Sequence, residues 1–486
     1  MKTGTSPRWP LAVALVAVLV HLPALRNGFA LDDVQLVESN PAIASLARLP
    51  HLFVEPYWNV ASGHYGLFRP LTIASYALNR AITGPGPLGF HAVNLLMHAV
   101  VSVLAWFALR RAGTHYGTAL LGAMLFAVLP VHSEAVANVA GRAELLSALC
   151  VLGAWLAHAR ERRTAAAALY LGAILSKESA ILAPVLFVAD DLLRDRVPAS
   201  GRARRYGGFA IAIAVMLALR AAALGGHQAA EDTIPLDNPA AYAGAWPRVA
   251  TAVWTQALYG ALSVAPVRLV SDYSFDAIPI VRTIADLRLL AGIAFVGAVV
   301  AAGIWGWRRS RPIAIAALLW GVFFLPSSNL LFPSGTVMAE RLAYLPSLGV
   351  CLALGHAGAA IPRRRALVAA AAALLVAVYA VRTWVRVPAW RDNLTLATTD
   401  VALSPRSAKL QAGAGMFLVD VGRFAEAEQH LREAIAIYPD YAQMHYNLAV
   451  LLVRRGARDE AVAHLNRAIA LAPGNPLPRR MLQSMR

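Results

Sequence analysis

Residues 9–33 read WPLAVALVAVLVHLPALRNGFALDD, and the reading of that stretch decides the fold class. From Trp9 to Leu25 it holds no Asp, Glu, Lys or Arg. That run approaches the roughly 20 apolar residues a helix needs to cross a bilayer. No A-x-A-like cleavage site follows it, so it reads as a retained span. Two acids, Asp32 and Asp33, stand directly beyond it.

Outward from this stretch the pattern repeats. Apolar runs fall near 9–25, 91–109, 116–131, 143–158, 164–177, 179–193, 206–224, 288–307, 312–332, 342–360 and 366–385. The 486 residues are 58% apolar and only 15% charged, against about 25% charged in a soluble domain. A string of soluble domains is excluded. The expected fold is all-α: a polytopic bundle of about eleven spans over 1–387, then a soluble helical tail over 388–486.

The formal charge of +17 comes from 44 basic and 27 acidic residues. Residues 389–486 carry 12 basic and 9 acidic groups, so +14 of the +17 lies in the membrane part. It sits in short loops: Arg110 and Arg111; Arg160, Arg162 and Arg163; Arg194 to Arg205; Arg308 to Arg311; Arg363 to Arg365. Basic short loops mark the cytoplasmic side of a membrane protein, so this charge sets topology and argues against nucleic-acid binding. With the N-terminus inside, every basic loop is cytoplasmic and the C-terminal tail is outside. The apolar run 249–266 breaks this parity if it crosses, and therefore reads as re-entrant or interfacial. The outer segments are then 26–90, 131–144, 225–287 and 333–341, with a short turn at Ser176 to Ser179. Arg dominance with abundant Ala points to a bacterial genome rich in G and C, and with the apolar spans the expected location is a bacterial inner membrane. Cys150 and Cys351 lie in apolar runs and read as small core residues.

The tail repeats itself. Residues 408–441 align with 442–475 at a period of 34: Gly422 on Gly456, Ala427 on Ala461, Leu431 on Leu465, Ala434 on Ala468, Pro439 on Pro473. This resembles the tetratricopeptide repeat, a helix–turn–helix unit that offers a protein- or peptide-binding surface. Trp390–Arg406 and Leu477–Arg486 are expected to add capping or partial helices.

Five polar groupings fall on the outer segments. Asp32 and Asp33 follow the first span, where desolvation makes acids costly; they suit a general base or metal ligand, or else a helix cap. His132 and Glu134 end the third span, while Arg142 and Glu144 begin the fourth; they form a polar cluster or a salt-bridged hairpin. Lys177 is one of three lysines and sits with Glu178 between two apolar runs, suited to a phosphate or to a structural partner. Glu340 and Arg341 precede the tenth span, and Arg341 could hold a phosphate with both arms of its fork. Arg268 and Asp272 follow the run 249–266. Each alone could be a snorkelling residue. His51, His64, His91 and His98 show no zinc-ligand spacing, and no P-loop or G-x-S-x-G elbow occurs.

In this order the motifs resemble the C-type (GT-C) membrane glycosyltransferases, closest to the transmembrane and tetratricopeptide repeat-containing O-mannosyltransferases. The resemblance rests on Asn27-Gly28 through Asp32-Asp33, Asn40-Pro41, Phe68-Arg69-Pro70-Leu71, His91 through Asn94 and His98. It continues through Pro130 to Glu144, Ser176-Lys177-Glu178, Asp272-Tyr273-Ser274 and Glu340 to Pro346. The chain carries about two repeats where the animal proteins carry many. The resemblance implies a polyprenyl-phosphate sugar donor in a membrane lipid setting, mannose by family default. It implies a protein or envelope acceptor on the outer face and a catalytic acid in the first outer loop, 26–90.

Asp32 or Asp33 is the expected base, with Asp33 slightly favoured, for an inverting displacement. Lys177 and Arg341, with Arg142 after them, are expected at the donor phosphate. His132, Glu134, Glu144, Glu178, Asp272 and Glu340 are the supporting polar residues. No cofactor is required, and a divalent metal is left open. The alternatives are a non-catalytic scaffold that assembles partners on its repeats, and a polyprenyl-linked transporter. A transporter places charges near mid-membrane in repeated halves, which this chain does not show.

Overall fold

A computed structural model describes residues 8–58, 66–194, 201–225, 234–359 and 365–485. His64 and the basic residues Arg196, Arg363 and Arg364 lie outside them. All regular structure among the described residues is helical. Apolar runs in hydrocarbon have no other choice, because each N–H and C=O must find its partner within the segment.

Each of the eleven apolar runs carries a helix. Among the described residues six are long and apolar enough to cross a membrane: Arg8–Arg26, Pro87–Arg111, Val139–Ala159, Ala203–Leu224, Leu287–Arg309 and Ala366–Arg391. The run near 116–131 is a bent pair, Tyr116–Val128 and Pro130–Ala137, broken by 48° at the proline. Arg163–Ser176, Arg311–Ser327 and Ser347–Ala359 are shorter apolar helices. Ala183–Leu192 has only 10 residues, about 15 Å of helix against a hydrocarbon core of about 30 Å. The chain is a membrane protein. Small residues let its helices close on one another. A Cβ on Gly355 would lie 2.8 Å from the Thr118 carbonyl oxygen, and one on Gly122 would lie 3.1 Å from that of Cys351.

Charge marks the two ends of the bundle. At one end Arg111, Arg194 and Arg311 gather on the buried Asp190, while His158 and Arg205 hold Asp191. The groupings Asp32-Asp33, Glu134, Lys177-Glu178 and Arg341 meet at the other end. The run 249–266 forms the helix Ala245–Val264. Arg248 at its start donates to the carbonyl oxygens of Asn329 and Leu330. Val264 at its finish accepts from the Tyr379 hydroxyl, eight residues short of Val387. Both ends of the helix thus meet residues near the same end of the bundle.

In the tail, helices begin at Ala408 and Ala442 and again at Phe424 and Arg458, in step with the repeat of 34. Ala427, Leu431 and Ala434 are fully buried, as are Ala461 and Leu465, with Ala468 1% exposed. Gly422 and Gly456 turn the chain between paired helices at φ 78° and 82°, where a Cβ is unwelcome. The helices Asn393–Leu403 and Pro476–Ser484 flank the pairs. The first repeat is docked on the segment 234–277 of the bundle. Lys409 Nζ lies 2.9 Å from Asp237 and 3.5 Å from Asp272, and Phe275 packs on Tyr438 at 4.7 Å.

Candidate active site

The chain leaves its first helix through a 3-10 turn, Leu22–Arg26, and reaches Leu31 at a left-handed φ of 50°. Asp33 then opens a π turn, Val34–Glu38. The two adjacent acids have opposite surroundings. The Asp33 side chain is fully buried and accepts from the N–H groups of Ala140 at 2.6 Å, Val139 at 3.1 Å and Ala30 at 3.4 Å. Asp32 is half-buried, and no hydrogen bond or ion pair engages its carboxylate among the described residues.

This geometry reverses the slight sequence preference for Asp33. That carboxylate is a buried clasp between the segment after the first helix and the turn 138–141. Burial pushes its pKa from 3.8 to about 7, against the N–H groups of Ala140, Val139 and Ala30 that pull it down. A carboxyl raised on folding adds stability at low pH and loses it as pH climbs through the folded value. The expected result is a melting temperature in detergent that falls between pH 4 and pH 7, as up to about 4 kcal/mol of stability is lost. Asp33→Asn should lack that slope, and a wild-type profile flat over the same range would contradict the assignment.

Three ion pairs gather at this end of the bundle, and Arg341 of the first feels the charge of Asp32. Arg341 pairs with Glu134 through its side chain, and its own N–H donates to Glu134 Oε2 at 2.7 Å. Lys177 pairs with Glu144, both nearly buried. Arg69 Nε lies 2.9 Å from Glu178 Oε2, and the Phe68 N–H holds the other oxygen at 3.0 Å. The Arg69 guanidinium also lies 5.0 Å from the Tyr57 ring centroid. The pairs act on one another. Burial lowers the Arg341 pKa, but Glu134, Asp32 and Glu144 together raise it above its ordinary value. Burial alone would raise Glu178, and Arg69 with the backbone N–H groups brings it below.

Of the sequence-derived residues, Asp32, Glu134, Glu144, Lys177, Glu178 and Arg341 converge. Four do not. The Arg142 guanidinium is sealed beneath the site, donating to Asn94 Oδ1 at 2.8 Å, Asn79 Oδ1 at 2.7 Å and the Phe90 carbonyl at 3.0 Å. It holds Asn94, which in turn holds the Asn138 carbonyl at 3.1 Å; Arg142 therefore supports the turn that clasps Asp33.

His132 points into the core, 2.8 Å from Ser347 Oγ and packed on Tyr344 and Phe126. Glu340 turns away from Arg341. It accepts from the Val270 N–H at 2.6 Å and the Tyr273 hydroxyl at 2.8 Å. Burial raises its pKa well above the ordinary value. Asp272 accepts from Ser274 and Ser407 and faces Lys409, so it belongs to the docking of the repeats.

Arg69 and Tyr57 were not among the candidates. The Phe68-Arg69-Pro70-Leu71 motif was the signal for Arg69; Tyr57 had none. Among the described residues no three His, Cys, Asp or Glu side chains are grouped to hold a metal.

The site can therefore present one unengaged carboxylate beside cations already held in place. Two families match parts of the chain. The family "Protein O-mannosyl-transferase TMTC, DUF1736" matches residues 230–300, and "Tetratricopeptide repeat" matches 418–484. The Caenorhabditis elegans protein O-mannosyl-transferase F38B6.6 is 30% identical over 88% of this chain and 62% of its own length. Protein O-mannosyl-transferase TMTC3 of Mus musculus is 27% identical over 87% of this chain and 50% of its own. Tmtc3 of Drosophila melanogaster is 28% identical over 88% and 55%. The chain thus spans 50–62% of the length of these relatives. Over nearly nine tenths of its own length it resembles the TMTC protein O-mannosyl-transferases.

Proposed function

We propose that this chain is a membrane glycosyltransferase that moves a sugar from a polyprenyl-phosphate donor to a protein or envelope acceptor. Mannose is the sugar the relatives' names suggest. The site then faces the outside of a bacterial inner membrane, with the N-terminus cytoplasmic and the repeats extracytoplasmic. The arginine-rich far end of the bundle supports that orientation. The observation that carries the reading is Asp32, unengaged and half-buried within reach of the field of Arg341.

In this mechanism Asp32 takes the proton of an acceptor hydroxyl, whose oxygen attacks the anomeric carbon from the face opposite the phosphate. The bond from that carbon to the phosphate oxygen breaks, and the anionic lipid phosphate leaves with inversion at the sugar. Charge bookkeeping assigns the phosphate contact. Arg69, Lys177 and Arg341 are each matched by a glutamate, so an incoming phosphate must compete with one of them. The Arg341 side chain is 35% exposed and that of Lys177 is 7%. Arg341 is the first contact, and Lys177 acts from behind it. The repeats, docked beside the site, recruit the acceptor.

The test is transfer of labelled sugar from polyprenyl-phosphate mannose, glucose and galactose to envelope extract by purified protein. One donor should support transfer, and Arg341→Gln should lower kcat/KM by about 100-fold, as expected for a lost donor of charge-stabilising hydrogen bonds. No transfer from any polyprenyl-phosphate donor, or equal transfer from a sugar nucleotide, would overturn the reading.

A further inference from the structure

Leu31 adopts φ 50°, a left-handed conformation that branched L side chains rarely take, immediately before Asp32. Something must hold it there. Its N–H donates to Asn393 Oδ1 at 2.7 Å, from a residue 362 positions away. Two further bonds lace the same stretch to the same partner. The Gly28 N–H donates to the Arg391 carbonyl at 2.8 Å, and Asn27 Nδ2 to that of Val387 at 3.1 Å. A Cβ at Gly28 would lie 3.1 Å from the Arg391 oxygen, so the close approach favours a glycine. On the other side of Asp32, Asp33 is clasped by Val139 and Ala140. Asp32 is therefore the one unattached side chain between two anchored neighbours.

We propose that Asn393 is a positioning residue for Asp32: by holding the Leu31 amide it keeps the backbone turned so that the carboxylate faces Arg341. This rests on the reading of Asp32 as the base. Asn393 is not occupied with capping its own helix, because Asp392 Oδ1 accepts from the Thr395 N–H at 2.7 Å and does that work. The helix Asn393–Leu403 also buries Ala397 and Val401 with Val270, Leu410 and Ala414, at the root of the first repeat. The C-terminal region is thereby part of the catalytic loop's support as well as a surface for partners.

Asn393→Ala in the full chain should lower kcat for sugar transfer 10- to 50-fold, with the donor KM within twofold and the melting temperature unchanged. Asn393→Asp retains an acceptor oxygen and should keep more than half of wild-type kcat. Leu31→Gly removes the strain, since glycine takes positive φ freely, so Leu31→Gly with Asn393→Ala should recover several-fold over Asn393→Ala alone. Amide exchange over residues 27–36 should quicken in Asn393→Ala and not in Asn393→Asp. Wild-type kcat in Asn393→Ala, or equal loss in Ala and Asp variants, overturns the proposal and leaves the transferase standing. Inactive wild type with every donor removes the transferase reading and this one with it.

Discussion

Replacing Asp32 by Asn is expected to lower sugar transfer about 1000-fold while leaving the melting temperature within a degree of wild type. The two halves of that expectation have separate grounds. No hydrogen bond or ion pair among the described residues engages the Asp32 carboxylate, so the isosteric amide breaks nothing that holds the fold. An amide cannot take a proton, and a positioned general base contributes roughly 100- to 10,000-fold. The donor KM should change little, because Arg341 keeps its pairing with Glu134. Asp33→Asn makes the useful contrast. Its amide nitrogen would face one of the N–H groups that now donate to the carboxylate, so it should lose stability first and activity as a consequence. An Asp32→Asn variant with a third or more of wild-type kcat, beside a stable but inactive Asp33→Asn, would transfer the role of base to Asp33.

The positions of the helices were readable because lipid permits no other structure for an apolar run. The repeat was readable because 34 residues return each small side chain to the same packing contact, as Ala427 and Ala461 show. The composition of the site was readable too, since acids and a rare lysine at the ends of apolar runs have few uses. Its assembly was not. Glu340 and Arg341 are neighbours in the turn Glu340–Ala343. Such a turn rotates successive side chains by about 120°, which sends one to Tyr273 and the other to Glu134. Which of Asp32 and Asp33 is free depends on Val139 and Ala140, more than a hundred residues on. Arg69 gains its meaning from Glu178, 109 positions away. Each distinction is made by contacts between distant segments, and spacing along one sequence does not contain them.

Arg142 carries the same lesson to a measurable end, because sequence reading placed it at the donor phosphate and the structure places it in the fold. Its guanidinium is fully buried, lies 4.8 Å from the Tyr76 ring centroid, and donates only to neutral acceptors: Asn79, Asn94, and the carbonyls of Phe90 and Ser75. Arg142→Ala strips a partner from each of these buried oxygens, at roughly 1–3 kcal/mol for an acceptor left without one. Summed over these acceptors the loss is several kcal/mol, against a total stability of about 5–15 kcal/mol. The expected result is aggregation or a melting temperature lower by ten degrees or more. Arg142→Lys should rescue little, since an ammonium cannot reproduce the planar fork that reaches two asparagines at once. Any protein that does fold should bind the polyprenyl-phosphate donor with near-normal KM. The turn 138–141 should loosen and free the Asp33 clasp, so kcat falls through the displaced base. A well-folded Arg142→Ala with a tenfold higher donor KM would return the residue to the phosphate.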